Sequence, residues 1–221
     1  MSSRPLGRVR AVAKFFFEND AKFFVKGVTY GPFQPDATGH YLGDEDQLAR
    51  DLAQMREVGL NVLRVYHAPP LWFLDGCAAA GMRVLITVPW AKLVEFLRER
   101  GTRRTIVESV RSAIAEHAGH PALFGYLVGN EISSTMVRWL GVRRVTEFIE
   151  HLIRIGREEN PDVLFSYASY PPTEFLLPQN VDFVCFNVYL HNQRDFERYL
   201  LRLQNLAEDR PLMLGEFGMD T

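Results

Sequence analysis

Two glutamates each follow an apolar run of the kind that forms a buried strand. Glu131 ends the segment Leu123–Glu131, and Glu216 directly follows the segment Pro211–Gly215. A carboxylate at the C-terminal end of a buried strand is expected to face a cleft, because an isolated charge inside the core is costly. Two carboxylates that face one cleft can work as a general acid/base and a nucleophile, which is the minimum equipment for cleaving a glycosidic bond.

Each glutamate also has a simpler interpretation. Glu131 suits the start of the next helix, where acidic residues are favoured and which Ser133-Ser134-Thr135 can cap. Glu216 lies between two glycines, which is typical of a surface loop. The dipeptide Gly129-Asn130 before Glu131, the apolar run before Glu216 and the presence of two strand-end glutamates favour the catalytic interpretation.

The bulk composition limits the possible functions. The chain has 221 residues, is 47% hydrophobic and carries a net charge of -2. These residues are enough for one sizeable core, and the near-neutral charge favours neither nucleic acid nor an anionic membrane as a partner. Cys77 and Cys185 lie in separate apolar runs, which predicts two buried thiols and no disulfide scaffold. No run reaches the ~20 apolar residues of a membrane helix, and no signal peptide is predicted.

Strand-like and helix-like segments alternate along the chain in about seven β/α units. The first segment, about residues 14–30, predicts a hairpin that turns at Asn19-Asp20 and whose second arm continues into the core. Further strands are predicted at Asn61–Tyr66, Arg83–Val88, Leu123–Val128, Val163–Tyr167, Phe183–Val188 and Leu212–Gly215. Helices are predicted at Asp44–Val58, Leu71–Ala80, Ala91–Ala118 with a break at Gly101, Met136–Glu159 and Arg194–Leu206. Residues 1–221 are expected to form a single domain.

The alternation fits either a doubly wound open sheet or a β/α barrel. An open sheet would have a Gly-rich phosphate loop after its first strand, but the residues there, Val28–Phe33, are aromatic. Polar and aromatic residues instead gather at the C-terminal ends of the predicted strands. They are Tyr30, Arg64, Tyr66, Trp90, Asn130, Glu131, Tyr167, Tyr170, Asn187, Tyr189 and Glu216. This distribution predicts an α/β fold of the TIM (β/α)8-barrel type, with its active site at that end.

On these residues the chain resembles glycoside hydrolase clan A, the retaining β-glycosidases on a β/α barrel that include families 2 and 5. The resemblance covers nearly the whole chain and depends on Asn130-Glu131 after the fourth strand and Glu216 after the seventh. It implies that Glu131 is the acid/base and Glu216 the nucleophile. It also implies that Asn130 holds the sugar 2-hydroxyl, that Arg64 keeps the nucleophile ionised and that Tyr189 hydrogen-bonds the nucleophile.

Seven further strand-end residues are predicted to contact the sugar. They are Tyr30, Tyr66, His67, Trp90, Tyr170, Asn187 and His191. Trp90 suits packing in a core as well as stacking on a sugar, and His67 and His191 are equally consistent with satisfied loop histidines. The chain departs from the clan at Pro89-Trp90, where many members have a histidine.

The C-terminal part of a barrel is expected outside this sequence. A β/α barrel takes about 250 residues, whereas this sequence reaches Thr221 soon after Glu216. Either the sequence is a fragment of a longer protein that supplies the last β/α unit, or the barrel is closed in a different way. A narrower resemblance is to the glycosidase-like module that precedes a family 2 glycosyltransferase in some bacterial proteins. It implies a C-terminal glycosyltransferase as partner and a location in the cytoplasm or at a membrane through another domain, without membrane insertion by this segment.

Together these features predict a retaining glycoside hydrolase or transglycosylase. Its substrate would be a β-glucan-like oligo- or polysaccharide, cleaved by double displacement. The alternative is a non-catalytic carbohydrate-binding module attached to a glycosyltransferase, since the expected eighth strand is missing. A barrel aldolase or isomerase is disfavoured, because neither Lys26 nor Lys92 lies at a strand end where a Schiff base could form. Neither a metal nor another cofactor is predicted.

Overall fold

The computed structural model describes residues 6–35, 39, 41–88, 90 and 100–218. Strands and helices alternate along this part of the chain. The strands are β1 (Val9–Val12), β2 (Phe15–Glu18), β3 (Ala21–Lys22), β4 (Gly27–Thr29), β5 (Val62–Val65), β6 (Arg83–Thr87), β7 (Leu123–Asn130), β8 (Leu164–Ser169), β9 (Val184–Val188) and β10 (Leu212–Phe217). The helices are α1 (Glu45–Glu57), α2 (Leu71–Ala79), α3 (Arg100–Ala115), α4 (Ser134–Leu140), α5 (Val142–Glu159) and α6 (Gln193–Ala207), and a short 3-10 helix covers Pro171–Thr173.

Strands β4 to β10 form one parallel sheet in sequence order, with β4 and β10 at its edges. Strands β5 and β10 are five positions apart, which would separate them by about 24 Å in a flat sheet. Arg64 Nη1 on β5 nevertheless lies 3.0 Å from Glu216 Oε1 on β10. The sheet is therefore rolled into a barrel, which confirms the predicted architecture. The described residues supply seven of its parallel strands, and an eighth is not among them.

The helices pack on the outer face of the sheet and are positioned by local sequence signals. Asp44 caps α1, since its side chain accepts a hydrogen bond of 2.7 Å from the amide of Gln47. In α5 the buried residues recur with helical spacing from Val145 to Gly156. A Cβ atom at Gly156 would collide with the ring of Phe165, so glycine lets α5 lie close to β8. None of the described helices is long and apolar enough to cross a membrane.

The antiparallel sheet β1–β3 packs against the N-terminal end of the barrel. Phe16 is 7% exposed and meets Phe124 and Phe183 edge to face, with ring centroids 5.2 and 5.5 Å away. Glu18 forms an ion pair of 2.6 Å with Arg83, which is buried at the start of β6. Side chains thus fill the N-terminal half of the barrel, and the opposite end is left for a functional site.

Several elements differ from their sequence predictions. The turn at Asn19-Asp20 is present, but the second arm of the hairpin ends at Lys22, and Gly27–Thr29 is a separate strand. The single helix predicted over residues 136–159 is wrong, because Gly141 has a φ of 91° and divides it into α4 and α5. Helix α3 begins at Arg100, next to Gly101, and the predicted break at Gly101 stays a prediction because the residues before Arg100 are not described. The predicted helical residues 91–99 lie outside the described part of the chain.

The packing of Phe16 predicts a large contribution to stability. Phe16→Ala removes a buried ring from the base of the barrel, so we expect the free energy of unfolding to fall by about 3–5 kcal/mol. Phe24→Ala is the matched control, because Phe24 is 64% exposed, and it should change that free energy by about 0.5 kcal/mol or less. Urea unfolding measures both variants. Equal losses in the two would contradict the described packing.

Candidate active site

The C-terminal ends of four strands bring polar side chains together inside the barrel. Arg64 comes from β5, Asn130 from the end of β7, Asn187 from β9 and Glu216 from β10. Glu131 directly follows β7. Glu131 thus follows the fourth strand of the parallel sheet, and Glu216 lies at the end of the seventh, as the sequence predicts.

Arg64 is the cation at the centre of the site. It is 4% exposed, and a guanidinium that is removed from water needs partners for its donors. Its Nε donates to Thr87 Oγ1 at 3.1 Å. Nη1 donates to Asn187 Oδ1 at 3.0 Å, and Nη2 donates to Asn130 Oδ1 at 2.7 Å. Nη1 also lies 3.0 Å from Glu216 Oε1, so one guanidinium orients both amides and balances the charge of a carboxylate.

Four donors hold the carboxylate of Glu216, and they are unevenly divided between its oxygens. Oε1 accepts hydrogen bonds from the Tyr66 hydroxyl and, at 2.9 Å, from Asn187 Nδ2, and it also pairs with Arg64. Oε2 accepts a hydrogen bond of 2.9 Å from the Tyr189 hydroxyl. Charge-assisted hydrogen bonds of this kind suit a carboxylate anion. Oε2 therefore has one partner among the described residues, whereas Oε1 has three.

Tyr66 and Tyr189 keep the protons that they donate to Glu216. Burial raises the pKa of Tyr66 above its ordinary value and outweighs the opposing charge of Arg64. Burial, together with the hydrogen bond to Glu216, raises the pKa of Tyr189 to about 12. Both hydroxyls therefore stay protonated at neutral pH and continue to donate.

Both glutamates lie at an irregularity in the sheet. The pairing of β7 with β8 shifts register between Leu127 and Asn130, just before Glu131. The pairing of β10 with β9 shifts between Leu214 and Glu216. The extra residue is on β7 in the first pair and on β10 in the second. Such a bulge changes the direction of the side chains that follow it.

The bulge in β10 decides the direction of Glu216. Met213 belongs to the cluster inside the barrel, and Leu214 belongs to the cluster that packs against α6. Strict alternation would therefore turn Gly215 inward and Glu216 outward. Because of the extra residue, Glu216 faces inward and reaches Arg64.

Glu131 leaves strand geometry as it enters the cleft. Its φ of 47° lies in the left-handed region, which costs about 1–2 kcal/mol for a residue with a Cβ atom. Two hydrogen bonds hold this conformation. The amide of Glu131 donates to Ala168 O at 2.9 Å, and the amide of Ile132 donates to the Tyr167 hydroxyl at 2.9 Å.

Asn187 contacts both glutamates and limits the distance between them. Its Nδ2 lies 2.8 Å from Glu131 Oε1 and 2.9 Å from Glu216 Oε1. These two oxygens are therefore at most about 5.7 Å apart, the sum of the two distances. Retaining glycosidases hold their carboxyl groups about 5–5.5 Å apart, whereas inverting enzymes need about 6.5–9.5 Å to fit a water molecule. The upper limit between one oxygen of each carboxylate is compatible with the separation of a retaining pair.

A cavity of about 660 Å³ lies between the edge strands β4 and β10 and reaches this cluster. Its lining includes Arg64, Tyr189 and Glu216. The Glu216 side chain is 16% exposed. Within the described residues, no three His, Cys, Asp or Glu side chains come together as a metal site would require.

Three residues that are predicted to contact the sugar, Tyr30, Asn187 and Tyr66, bind other side chains in the structure. Tyr30 is 4% exposed within the core, and its hydroxyl donates to Asp51 at 2.8 Å, so it does not line the cleft. Asn187 is 1% exposed, and its amide is used by the two glutamates. Tyr66 is half-buried and donates to Glu216. Asn187 and Tyr66 therefore hold carboxylates, a role that strand-end position alone did not reveal.

The other four candidate sugar contacts lie around the site. Trp90 packs against Gly129, and its Nε1 donates to Val128 O at 2.5 Å. His67 stacks on Tyr41 with ring centroids 4.9 Å apart, and burial lowers its pKa. Tyr170 directly follows β8 and is half-buried, and His191 is exposed after β9. Sugar binding by these four residues stays a prediction.

Comparison with known proteins finds similarity to proteins named glucanosyltransferases. The model of the glucanosyltransferase family, glycoside hydrolase family 72, matches residues 5–158. The chain is 25% identical to 1,3-beta-glucanosyltransferase gel1 of Aspergillus fumigatus over 230 residues, which cover 93% of this chain and 50% of gel1. It is 25% identical to 1,3-beta-glucanosyltransferase GAS2 of Saccharomyces cerevisiae over 185 residues, which cover 71% of this chain and 33% of GAS2. The chain thus spans half or less of the length of these curated relatives.

Solved structures share the barrel fold. A β-glucuronidase of Ruminococcus gnavus superposes with a TM-score of 0.80 at 15% identity, covering 96% of this chain and 38% of that chain. β-Glucuronidase 2 of Bacteroides uniformis gives 0.76 at 21% identity, covering 93% and 26%. The crystal structure of ScGas2 gives 0.71 at 22% identity, covering 97% and 54%. At these identities the likeness concerns the fold alone.

Gly215 provides a test of the site geometry. A Cβ atom there would lie 2.7 Å from Cys185 Sγ, 2.8 Å from Asn187 Oδ1 and 2.9 Å from Arg64 Nη1. Gly215→Ala should therefore displace the groups that hold the carboxylates and lower kcat roughly 100-fold. Gly101→Ala is the control, since a Cβ atom there meets nothing within 4 Å and alanine favours a helix.

Both glycine variants are compared with the unaltered chain by circular dichroism and by turnover of a β-1,3-linked glucan oligosaccharide. We expect Gly101→Ala to retain full activity. A folded Gly215→Ala variant with unchanged kcat would contradict the described packing of Arg64 and Asn187.

Proposed function

The chain belongs to the glucanosyltransferase family of glycoside hydrolases, and we propose that it cleaves β-1,3-glucan with retention and transfers the released segment to another sugar. The observation that carries this proposal is the separation of Glu131 and Glu216, at most about 5.7 Å between their Oε1 atoms, which suits double displacement. Similarity to relatives named 1,3-beta-glucanosyltransferases supports the choice of substrate and of transfer as the outcome.

In the first step, Glu216 acts as the nucleophile and Glu131 as the acid. Oε2 of Glu216 attacks the anomeric carbon and forms a covalent glycosyl ester. The bond from that carbon to the leaving sugar oxygen breaks, and its electron pair stays with the oxygen, which takes a proton from Glu131. Arg64 and Tyr66 hold Oε1 meanwhile, so that Oε2 is presented to the sugar.

In the second step, Glu131 works as the base. It removes a proton from an incoming hydroxyl group, whose oxygen attacks the anomeric carbon. The ester bond to Glu216 breaks, and its electron pair returns to the carboxylate. A sugar hydroxyl as acceptor gives transfer, and water gives hydrolysis. Two successive inversions at one carbon leave the β configuration unchanged.

Asn130 is proposed to bind the 2-hydroxyl of the reacting sugar. Its Oδ1 accepts from Arg64 at 2.7 Å and from Asn187 at 3.1 Å, so the amide orientation leaves Nδ2 available as a donor. A hydrogen bond to the 2-hydroxyl strengthens as the transition state forms. More distant glucan units are proposed to contact the residues that surround the cleft, namely His67, Trp90, Tyr170 and His191.

A carbohydrate-binding module without catalysis is the rival function. Binding alone gives no reason for four donors to converge on Glu216 or for Asn187 to lie between two carboxylates. A glycosyltransferase joined to this chain, in the cytoplasm or at a membrane, stays a proposal that rests on the narrower sequence resemblance. Such a partner would supply nascent glucan to this site for remodelling.

Azide distinguishes the proposed roles of the two glutamates. The substrate is an aryl β-glycoside of a β-1,3-glucan oligosaccharide, and turnover without azide should fall roughly 100-fold or more in either variant. In Glu216→Ala, azide replaces the nucleophile and inverts the anomeric carbon once, which gives the α-glycosyl azide. In Glu131→Ala, azide attacks the glycosyl ester on Glu216, which gives the β-glycosyl azide. Proton NMR of the products identifies the anomer.

Glu108→Ala is the control for these substitutions, since Glu108 lies on the outer helix α3 and pairs with Arg104 at the surface. It should retain full activity and form no glycosyl azide. The same azide anomer from Glu131→Ala and Glu216→Ala, or full activity in Glu216→Gln, would overturn the assignment.

A further inference from the structure

Asn187 lies between the two glutamates and contacts both of them. Its side chain is 1% exposed, and its Oδ1 accepts a hydrogen bond of 3.0 Å from Arg64. This contact fixes the orientation of the amide, so Nδ2 faces the cleft. There it lies within hydrogen-bond distance of three acceptors, Asn130 Oδ1 at 3.1 Å, Glu131 Oε1 at 2.8 Å and Glu216 Oε1 at 2.9 Å.

An amide nitrogen has two hydrogens, so Asn187 cannot donate fully to all three acceptors at once. The two hydrogens of Nδ2 are shared among the three acceptors. One hydrogen bond can strengthen while another weakens, without movement of the heavy atoms. The two carboxylates on either side are the groups that exchange charge in the proposed double displacement. In that mechanism Glu216 is the anion before the glycosyl ester forms, and Glu131 is the anion once it has formed.

We infer that Asn187 is a positioning residue that follows this charge, donating to Glu216 before the ester forms and to Glu131 while the ester waits for its acceptor. The inference rests on the proposed function and adds a residue that acts mainly in the second step. In that step the Asn187 amide orients the Glu131 carboxylate toward the incoming hydroxyl group and stabilises its charge until the proton is taken.

The two glutamates depend on Asn187 to different degrees. Glu216 has three other donors, which are Arg64, Tyr66 and Tyr189. Among the described residues, Asn187 is the side chain that donates to Glu131. Within the described part of the chain, loss of the Asn187 amide therefore leaves the Glu216 anion with three donors and removes the side-chain donor to Glu131. We therefore expect this loss to slow the second step, in which the sugar leaves the enzyme.

Pre-steady-state kinetics separates the two steps. With an aryl β-glycoside of a β-1,3-glucan oligosaccharide, the first step releases the aryl alcohol in a burst, and the second step sets the steady-state rate. Asn187→Ala should slow the second step roughly 10- to 100-fold and change the burst rate much less. The glycosyl-enzyme should accumulate in the intact-mass spectrum, and KM should fall together with kcat.

Tyr189→Phe is the opposite variant, because it removes a donor from Glu216 alone. It should lower the rate constant of the first step, leave that of the second step nearly unchanged, and so reduce the amount of glycosyl-enzyme at steady state. Asn160→Ala is the matched structural control. Asn160 is a buried asparagine beyond α5, and its Nδ2 lacks a hydrogen-bond partner within the described structure. Its replacement should leave both rate constants unchanged.

The outcomes separate this inference from the proposed function. If the unaltered chain forms no glycosyl-enzyme and turns over no substrate, the proposed function fails. If it turns over through a glycosyl-enzyme but Asn187→Ala lowers both rate constants equally, the inference alone is overturned. Asn187→Leu is measured in parallel because it keeps the side-chain volume. Failure of both variants to fold would make Asn187 a structural residue and would also overturn the inference.

Discussion

The buried charge of Arg64 is the constraint on which the site depends. A guanidinium that is 4% exposed must meet acceptors on several sides, because an unpaired buried charge costs several kcal/mol. The barrel supplies Thr87, Asn130, Asn187 and Glu216 from four other strands. Satisfying this one cation fixes the orientation of two amides and one carboxylate. Curvature of the sheet is part of the same requirement, since these side chains meet only across the interior of the rolled sheet.

The second requirement is that two side chains depart from the regular alternation of their strands. A register shift precedes each glutamate, and each bulged segment contains a glycine, Gly129 or Gly215. At Gly215 the space that a Cβ atom would occupy is filled by Arg64, Asn187 and Cys185. The irregular backbone is therefore stabilised by the same groups that hold the carboxylate. This explains why the site is compact although its residues come from distant parts of the sequence.

Much of this arrangement could be predicted from the amino-acid sequence, because apolar runs with a polar residue at the end mark both the strands and the site. The barrel, Glu131, Glu216 and Arg64 follow from that pattern and from resemblance to a known clan. Tyr30 and Asn187 could not be separated by it, since both lie at strand ends, yet one donates to Asp51 in the core and the other joins two carboxylates. Such roles depend on strand curvature and on bulges, which leave no periodic signal. The family match, at residues 5–158, includes Glu131 but ends before Glu216, so the distance between the two carboxylates comes from the structure and not from that match.

The central claim is that Glu131 and Glu216 act together in a double displacement that ends in transfer. The most direct measurement is the configuration and size of the first products from a β-1,3-linked glucan oligosaccharide, followed by proton NMR and mass spectrometry before mutarotation. The account predicts products longer than the substrate, with every new linkage in the β configuration. A first product in the α configuration would contradict the carboxylate geometry, and binding of the oligosaccharide without any product would contradict the enzymatic function itself.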